Sequence, residues 1–540
     1  ELFPINGSQR KAVESAGARV EVLHGPPGTG KSTTIFHYLA AKLPQGAAAV
    51  VTCVGNQAVD AIAEKLGLVH DRGFPILVLG QAARLGPTAA NFTLERVCQR
   101  DPSVQQARMC LVELEARQAT EPDLDLLSEV LAAEEALEAA EAAVKAPTVA
   151  RTRAFLTTVS SSSRLLGLQQ EYREGLHHRL FVAILDEAGA TAETYVPQLL
   201  KLGVENLVLL GDHKQLPPLV KGSAGEVARN RVDRSLMERI CHVRPGAVRL
   251  LDQQYRMPEC IGKIVSDLFY AGRLKTGEAK ALKDLSSGIS AAARMRWFAY
   301  STVEQHVGTS YCNPAEAAVL CDLLTGDKIL ARTSAEVLVI SLYKHQVRLL
   351  EQALEFLPAD RRRGVRIVTV DRAQGSEADH VVLSCVRSNA RRSEAVGFAR
   401  DARRLNVAIS RARETMAVLG NAKTMCTDPT WRQVYHCIEA GGSVREVSDP
   451  EVLGRWPHLS GLAAKGLQAG IKFSRGRRGQ SRSQNLGQQQ SCYAAPGGQA
   501  AAESPVKPQL RVQQLQACPE ARKEQPLQAC LEAAKEHGSP

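Results

Sequence analysis

Val20-Glu21-Val22-Leu23-His24 runs directly into Gly25-Pro26-Pro27-Gly28-Thr29-Gly30-Lys31-Ser32, and an apolar-periodic segment through Ile35, Tyr38 and Leu39 follows. An apolar strand, a glycine-rich turn and a helix start fit the Gly-x-x-x-x-Gly-Lys-Ser/Thr pattern in the context it needs. The glycines let backbone N–H groups turn inward around a chain of phosphates. Lys31 sets a point charge between the β and γ phosphates, and the Ser32 hydroxyl is suited to magnesium. The stretch therefore predicts a nucleoside triphosphate and Mg2+ as ligands, held by residues 25–32 with Thr33 just beyond.

Outward from this loop, short apolar strands recur at Ala48–Val54, Ile76–Leu79, Phe181–Leu185 and Leu207–Leu210, most of them separated by helix-length segments. Solidly apolar strands alternating with helices imply a parallel sheet covered on both faces. After Leu251 the alternation restarts, with strands at Val337–Ser341, Val365–Val370, His380–Ser384 and Met416–Leu419. Two α/β lobes are the simplest account: residues 1–247, and 248–440. Residues 88–150, between the third and fourth strands, have a different character: 101–150 hold 11 Asp/Glu against 3 Lys/Arg, and Leu127–Val144 has helix-forming composition. A helical insertion is expected there, either a solvated acidic hairpin or a partner surface.

From about Gly441 the composition shifts to Gly, Gln, Ser and Pro, with Trp456, Phe473 and Tyr493 as the aromatics. Such a segment buries too little apolar surface to offset its ordering entropy, so 441–540 is expected to be a disordered, low-complexity basic tail. It holds Arg475-Gly476-Arg477-Arg478-Gly479 and a short repeat, LQACPEARKE from Leu515 and LQACLEAAKE from Leu527. The basic run suits loose phosphate contact, and the tail reads equally as a solvated linker.

A chain of 540 residues corresponds to roughly three to four domain-sized units. With 44% hydrophobic and 23% charged residues it is neither a small stapled scaffold nor wholly disordered. Lys and Arg exceed Asp and Glu by 67 to 57, a net +10, which favours polyanionic partners. The 13 cysteines are odd in number, scattered and without a Cys-x-x-Cys pair, which argues against a disulfide framework or a zinc ribbon. No apolar run approaches the ~20 residues of a membrane span. The chain opens on Glu1, and residues 1–10 lack a signal-peptide core, so it reads as a fragment of a soluble intracellular protein, cytoplasmic or nuclear.

A triphosphate site needs a carboxylate for the metal and a base to orient water. Asp186 and Glu187 stand at the C-terminal edge of the strand Phe181–Leu185, where ligands sit in parallel sheets. Asp186 is the candidate magnesium ligand with Ser32, and Glu187 the candidate base. An acidic pair after a strand is also a common capped turn.

The phosphate loop, DEAG from Asp186, GDHKQLPP from Gly211, DQQYRM from Asp252, VDRAQGSEAD from Val370 and RLNVAISRAR from Arg404 follow one another in a set order. Over residues 3–425 this resembles the superfamily 1 helicases, most of all the subgroup of the nonsense-transcript decay helicase, senataxin and the immunoglobulin mu-binding helicase. The resemblance implies two RecA-like P-loop NTPase lobes with ATP between them. It assigns Gln9 to the adenine edge, Tyr255 to stacking on adenine, and Gln215 and Arg256 to sensing the γ phosphate. It sets Gly375 and Glu377 at the nucleotide edge and makes Arg411 the arginine finger. In the same family, Thr52, Asn56, Thr157, Thr158 and Ser160 of the first lobe and Tyr343, Thr369 and Ser384 of the second lie in or near segments that face a nucleic acid backbone. Each of these is equally a cap or turn former. The run TCVGNQAVD departs from the family's usual Pro-Ser-Asn-x-Ala form.

The resemblance implies an ATP-dependent helicase or translocase moving 5′ to 3′ on single-stranded nucleic acid, RNA slightly favoured over DNA. The alternative is an ATP-switched RNA-binding clamp or ribonucleoprotein scaffold that opens no duplex. A protein partner through the tail or the acidic insertion is a further expectation.

Overall fold

The computed structural model describes residues 3–121, 123–172, 180–220, 226–227, 230–331, 335–389 and 396–461. The first sheet contains β1 (Val20–His24), β2 (Ala48–Cys53), β3 (Ile76–Leu79), β4 (Ala154–Thr158), β5 (Leu180–Leu185), β6 (Asn206–Gly211) and β7 (Val248–Leu250). Their order is β3-β4-β2-β5-β6-β1-β7, and every neighbouring pair is parallel. Strands covered on both faces carry apolar side chains throughout: Ala48 to Val51 and Ile76 to Val78 are all buried. Because the strands run one way, the loops after β1, β2, β4, β5 and β6 open on a single edge. That edge carries the phosphate loop, Gly55, Ser160, Asp186 and Asp212.

Two features of this sheet escaped the reading of the sequence. β4 pairs with both β2 and β3, although AFLTT follows the insertion helix almost without a break and ends on threonines, so no turn signal announces it. β7 pairs with β1, which carries the first lobe past residue 247. The insertion lies between β3 and β4 and is helical, with long helices at Pro102–Thr120 and Leu124–Arg151. Arg108 of the first pairs with Glu141 of the second and ties the two together, while Lys145, one turn on from Glu141, holds the same carboxylate.

β8 (Gln253–Gln254) and β9 (Lys275–Thr276) form a small parallel pair, β10 (Met295–Ala299) opens the second sheet, and β11 (Gln305–Val307) and β12 (Ser310–Cys312) make an antiparallel hairpin. β13 (Val337–Ser341), β14 (Val365–Thr369), β15 (Ala378–Ser384), β16 (Ala412–Leu419) and β17 (Ser443–Glu446) complete the second sheet. Its order is β14-β13-β15-β16-β10-β17, again parallel throughout. Trp297 and Trp431 meet edge to face at 6.1 Å in its core. Each indole N–H donates to a backbone carbonyl, Gly420 at 2.8 Å and Ala399 at 2.7 Å, so neither buried donor is left unpaired.

The expected start of the tail at 441 is corrected by β17, which pairs with β10 along Ser443–Glu446. The helix Asp449–Arg455 follows, and Val452 and Leu459 are buried against the second sheet, with Trp456 packed beside them. The composition is polar here because β17 is an edge strand, and a few apolar anchors suffice to dock one helix. The remainder of the expected tail, from 462, lies outside the described residues. Among the described residues no helix is long and apolar enough to cross a membrane.

Candidate active site and nucleic-acid interface

The phosphate loop takes its shape from two glycines in left-handed conformation, Gly28 at φ 73° and Gly30 at φ 76°. A Cβ on Gly30 would lie 2.6 Å from Gln9 Nε2, and one on Gly28 2.7 Å from Arg256 Cβ, so side chains are excluded by strain and by space. Gly30 starts the helix Lys31–Lys42 without a side-chain cap. The first N–H groups of that helix are thus left to an anion. Lys31 Nζ donates to Gly25 O at 3.3 Å and lies 3.5 Å from Glu187 Oε1.

Asp186 and Glu187 leave β5 on the same edge, Glu187 in left-handed backbone at φ 52°. For a non-glycine residue this is a strained conformation of the kind found at working sites. The Glu187 N–H donates to Asp186 Oδ1 at 2.9 Å. Burial, and then the charge of Glu187, push Asp186 up to about 7. A buried carboxylate of this kind, lining the same cleft as Ser32, fits a divalent cation. Ser32 and Asp186 are the residues that would hold it.

The opposite wall comes from the second half of the chain. Arg256 donates through Nε to Glu377 Oε2 at 2.6 Å and through Nη1 to Ser410 O at 3.1 Å. Burial works to raise Glu377, but Arg256 and Arg413 outweigh it and hold the carboxyl below its ordinary range. Arg411 is 2% exposed. Its guanidinium donates to Val407 O at 2.8 Å, Ser376 O at 3.2 Å and Gln215 Oε1 at 3.1 Å, the last across the two lobes. Burial and the neighbouring Arg256 lower it to about 9. Gln215 in turn donates to Asp212 Oδ2 at 2.7 Å. Residues 27–32, Asp186, Glu187, Gln215, Tyr255, Arg256, Gly375, Glu377 and Arg411 thus share one cleft of about 580 Å³.

Tyr255 stands at its mouth, 39% exposed, its N–H bonded to Gly28 O at 2.9 Å and its ring over Gly277. A planar base stacks readily on such a ring. Gln9 behaves otherwise than expected. It is buried, Nε2 donates to Thr29 O at 2.9 Å and Oε1 accepts from Asn6 N–H at 3.0 Å. Its amide is committed to the phosphate loop and to its own helix start, so it braces the loop instead of facing a base. Gly25, Pro26 and Thr33 lie behind the lining, and Thr33 Oγ1 accepts from Lys65 Nζ at 3.3 Å.

Lys65 is a cleft residue that reading the sequence missed. It lies on the helix Asn56–Gly67, whose Ala58, Ala61 and Lys65 turn one face to the cleft. Burial lowers its pKa, with Asp186 opposing. The signal was present as two alanines and a lysine at helical spacing, but such a pattern is ordinary on helices. Gln374 and Arg413 line the same cleft and were also missed.

A groove of about 290 Å³ lies on the same sheet edge, lined by Val54, Gly55, Asn56, Gln81, Arg84, Thr158, Ser160 and Arg164. Asn56, Thr158 and Ser160 come together here as expected, with Ser160 exposed and bonded to Thr158 Oγ1 at 3.2 Å. Arg84 and Arg164 were missed, since lone arginines after a strand or in a helix carry no spacing signal. Four expected contacts are corrected. Thr52 and Thr157 are fully buried, their hydroxyls donating to Ile184 O and Leu79 O inside the sheet. Ser384 is fully buried and donates to Glu316. Tyr343 is 3% exposed, beneath Phe398 and beside Arg387. Thr52, Thr157 and Ser384 stand on strands covered on both faces, so either side of the pleat is buried, and Tyr343 follows β13 packed among Tyr311, Phe398 and Arg387. Thr369 is partly buried and starts the short helix Val370–Ala373. Glu316 is itself buried, accepting from Tyr300, Ser384 and the Val386 N–H, and burial pushes it up to about 7.

Two family models, each described as AAA domain, match residues 4–223 and 232–423. The chain is 31% identical to the DNA-binding protein SMUBP-2 of Mesocricetus auratus over 466 residues, which are 82% of this chain and 45% of that protein. It is 28% identical to the Regulator of nonsense transcripts 1 homolog of Neurospora crassa, over 80% of this chain and 38% of that one. To the ATP-dependent helicase NAM7 of Saccharomyces cerevisiae it is 28% identical, over 82% and 44%. The chain thus spans less than half the length of these relatives. With both halves matched in order and the cleft residues gathered from each, the chain belongs to the superfamily 1 helicase subgroup that includes the nonsense-transcript decay helicase and the immunoglobulin mu-binding helicase.

Proposed function

We propose that the chain hydrolyses ATP between its two lobes to move 5′ to 3′ along single-stranded nucleic acid and to separate duplexes. The observation that carries this reading is the bond from Arg411 of the second lobe to Gln215 of the first, 3.1 Å, at the wall of the cleft that holds the phosphate loop. Residues that sense and stabilise a transferring phosphoryl group are then drawn from both lobes. The cleft's grip on a triphosphate becomes a force between the lobes.

In this reading Lys31 and the uncapped helix start hold the β and γ phosphates, and Tyr255 supports the base. A magnesium ion, when held by Ser32 and Asp186, neutralises phosphate charge and fixes the leaving oxygens. Glu187 orients the attacking water and accepts its proton. Arg411 and Arg256 bear on the γ oxygens, where a planar guanidinium matches charge spread over three atoms. Once the phosphate is gone the two lobes lose that shared partner and separate. Asn56, Thr158, Ser160, Arg84 and Arg164 meet the strand through its phosphates, so binding is insensitive to sequence and sensitive to salt.

The test is ATP turnover with single-stranded RNA, single-stranded DNA and neither, alongside a duplex with a 5′ single-stranded overhang. Stimulated turnover with ATP-dependent strand separation is expected. Stimulated turnover without separation assigns an ATP-switched clamp instead, and turnover indifferent to nucleic acid rejects both.

A further inference from the structure

Behind the wall of the cleft lies a group of metal-binding side chains that the proposed reaction does not use. His24 is the last residue of β1, and Asp212 and His213 follow β6, so the parallel pairing of these strands brings the three together. His24 Nε2 lies 2.7 Å from Asp212 Oδ1, and the His24 and His213 rings are 4.6 Å apart between centroids. One ligand atom from each residue falls within 4.8 Å of the others. His24 and Asp212 are buried, and His213 Nδ1 is buried with no hydrogen-bond partner among the described residues. A buried ring nitrogen without a partner is costly to leave, and it offers a lone pair when its neighbour carries the proton. His24 and His213 also line a cavity of about 300 Å³ that supplies a way in.

We propose that His24, Asp212 and His213 form a site for a borderline-soft divalent metal ion, with Zn2+ as the best match, and that its occupancy loosens the hold of Asp212 on the Gln215 amide in the nucleotide cleft. The ligand set decides the class. Mg2+ and Ca2+ require several oxygen ligands, and a single carboxylate is present. Lys214 and Arg273 line the same cavity, so a cation held by charge alone is repelled. Direct bonding to two imidazoles and one carboxylate is the arrangement that suits zinc. To bond an ion at about 2.0–2.2 Å, His24 Nε2 and Asp212 Oδ1 exchange their 2.7 Å hydrogen bond for the metal and open to about 3.3 Å, the ligand spacing of a tetrahedral site, while His213 moves in from within 4.8 Å.

The link to the cleft is one carboxylate. Asp212 Oδ1 accepts from His24 and from the Lys214 N–H at 3.0 Å, while Oδ2 accepts from Gln215 Nε2 at 2.7 Å and from Tyr270. An ion on Oδ1 draws negative charge away from Oδ2 and loosens its hold on Gln215, which accepts from Arg411. Metal binding stands without the proposed function, whereas the effect on turnover rests on it.

The test uses the full, untagged chain with saturating Mg2+. Free Zn2+ is set by competition with a chromophoric chelator, and crystals soaked in Zn2+ are measured at the zinc absorption edge. One tightly held equivalent is expected, lost in both His24→Asn and His213→Gln. A single anomalous peak is expected within bonding distance of the three residues. Thermal melting of each variant without metal reports whether it folds, and only the unsubstituted chain gains stability on adding zinc. ATP turnover falls as the site fills and recovers on chelation. Equal zinc binding by the variants, or an anomalous peak only on other residues, overturns the site. A filled site with unchanged turnover overturns its coupling to Gln215. Because occupancy is read from the metal itself, failure here is distinct from failure of the motor reading, which the nucleic acid assays decide.

Discussion

Arg411 is a cation with almost no contact with water, held by two carbonyls, a hydroxyl and an amide, with no carboxylate bonded to it among the described residues. Glu187 and Glu377 act on it only through space, so its guanidinium has room to pair with an anion. Arg411→Ala is expected to lower kcat by about 10³-fold while changing ATP affinity only a few-fold, since the finger acts mainly on the transition state. Equal losses in both, measured by single-turnover kinetics and nucleotide titration, reject the role. Glu316 supplies a second residue-level expectation. Its carboxyl is raised from 4.5 to about 7. The native state therefore holds a proton that the unfolded chain has released, and stability declines as pH rises through that window. Glu316→Gln is expected to flatten the decline in denaturant midpoints between pH 4.5 and 7. Lys31 and Asp186 were legible from the phosphate chemistry of their motifs, whereas Arg411 was pointed to only by the family resemblance. The hydroxyls were not: Thr157 is buried within β4 while Thr158, its last residue, reaches the groove, and the two look identical until the end of the strand is placed.

At the scale of elements, the strand-loop-helix at β1 was readable because the glycine positions leave one backbone solution. Gly30→Ala tests this: left-handed backbone costs an alanine roughly 1–2 kcal/mol, and the added methyl meets Gln9 Nε2. A fall in Tm together with weaker ATP binding is expected, and an unchanged Tm tells against it. The apolar central strands were equally clear. β4, β7, β10 and β17 were not, because each is short, lies near an edge or follows another element directly, and β17 in particular has no apolar run of its own. Truncation distinguishes the two boundaries of the second lobe. A chain ending at 461 is expected to melt like the full chain, whereas one ending at 440 strips β17 and the buried Val452 and Leu459 from the sheet. Removing two such side chains alone costs about 4 kcal/mol or more, so the shorter chain is expected to unfold at lower temperature by calorimetry.

Over the whole molecule, two sheets of unlike sequence present their loops to a common cleft, and the order of motifs along the chain was enough to foresee that arrangement. The groove beside it was only half foreseen, since its basic residues Arg84 and Arg164 belong to no spacing pattern. Replacing both with alanine is expected to weaken single-strand binding for every sequence alike. With two fewer phosphates neutralised, the slope of log affinity against log salt becomes shallower by about 1.4. An unchanged slope removes these arginines from the interface. Val54 and Gly55 line both the groove and the nucleotide cleft, and the helix that begins at Asn56 carries Lys65 into the latter. A partition with two wetted sides cannot transmit in one direction only: whatever factor a bound strand applies to ATP affinity, ATP must apply to strand affinity in equal measure. Measuring one of these ratios fixes the other.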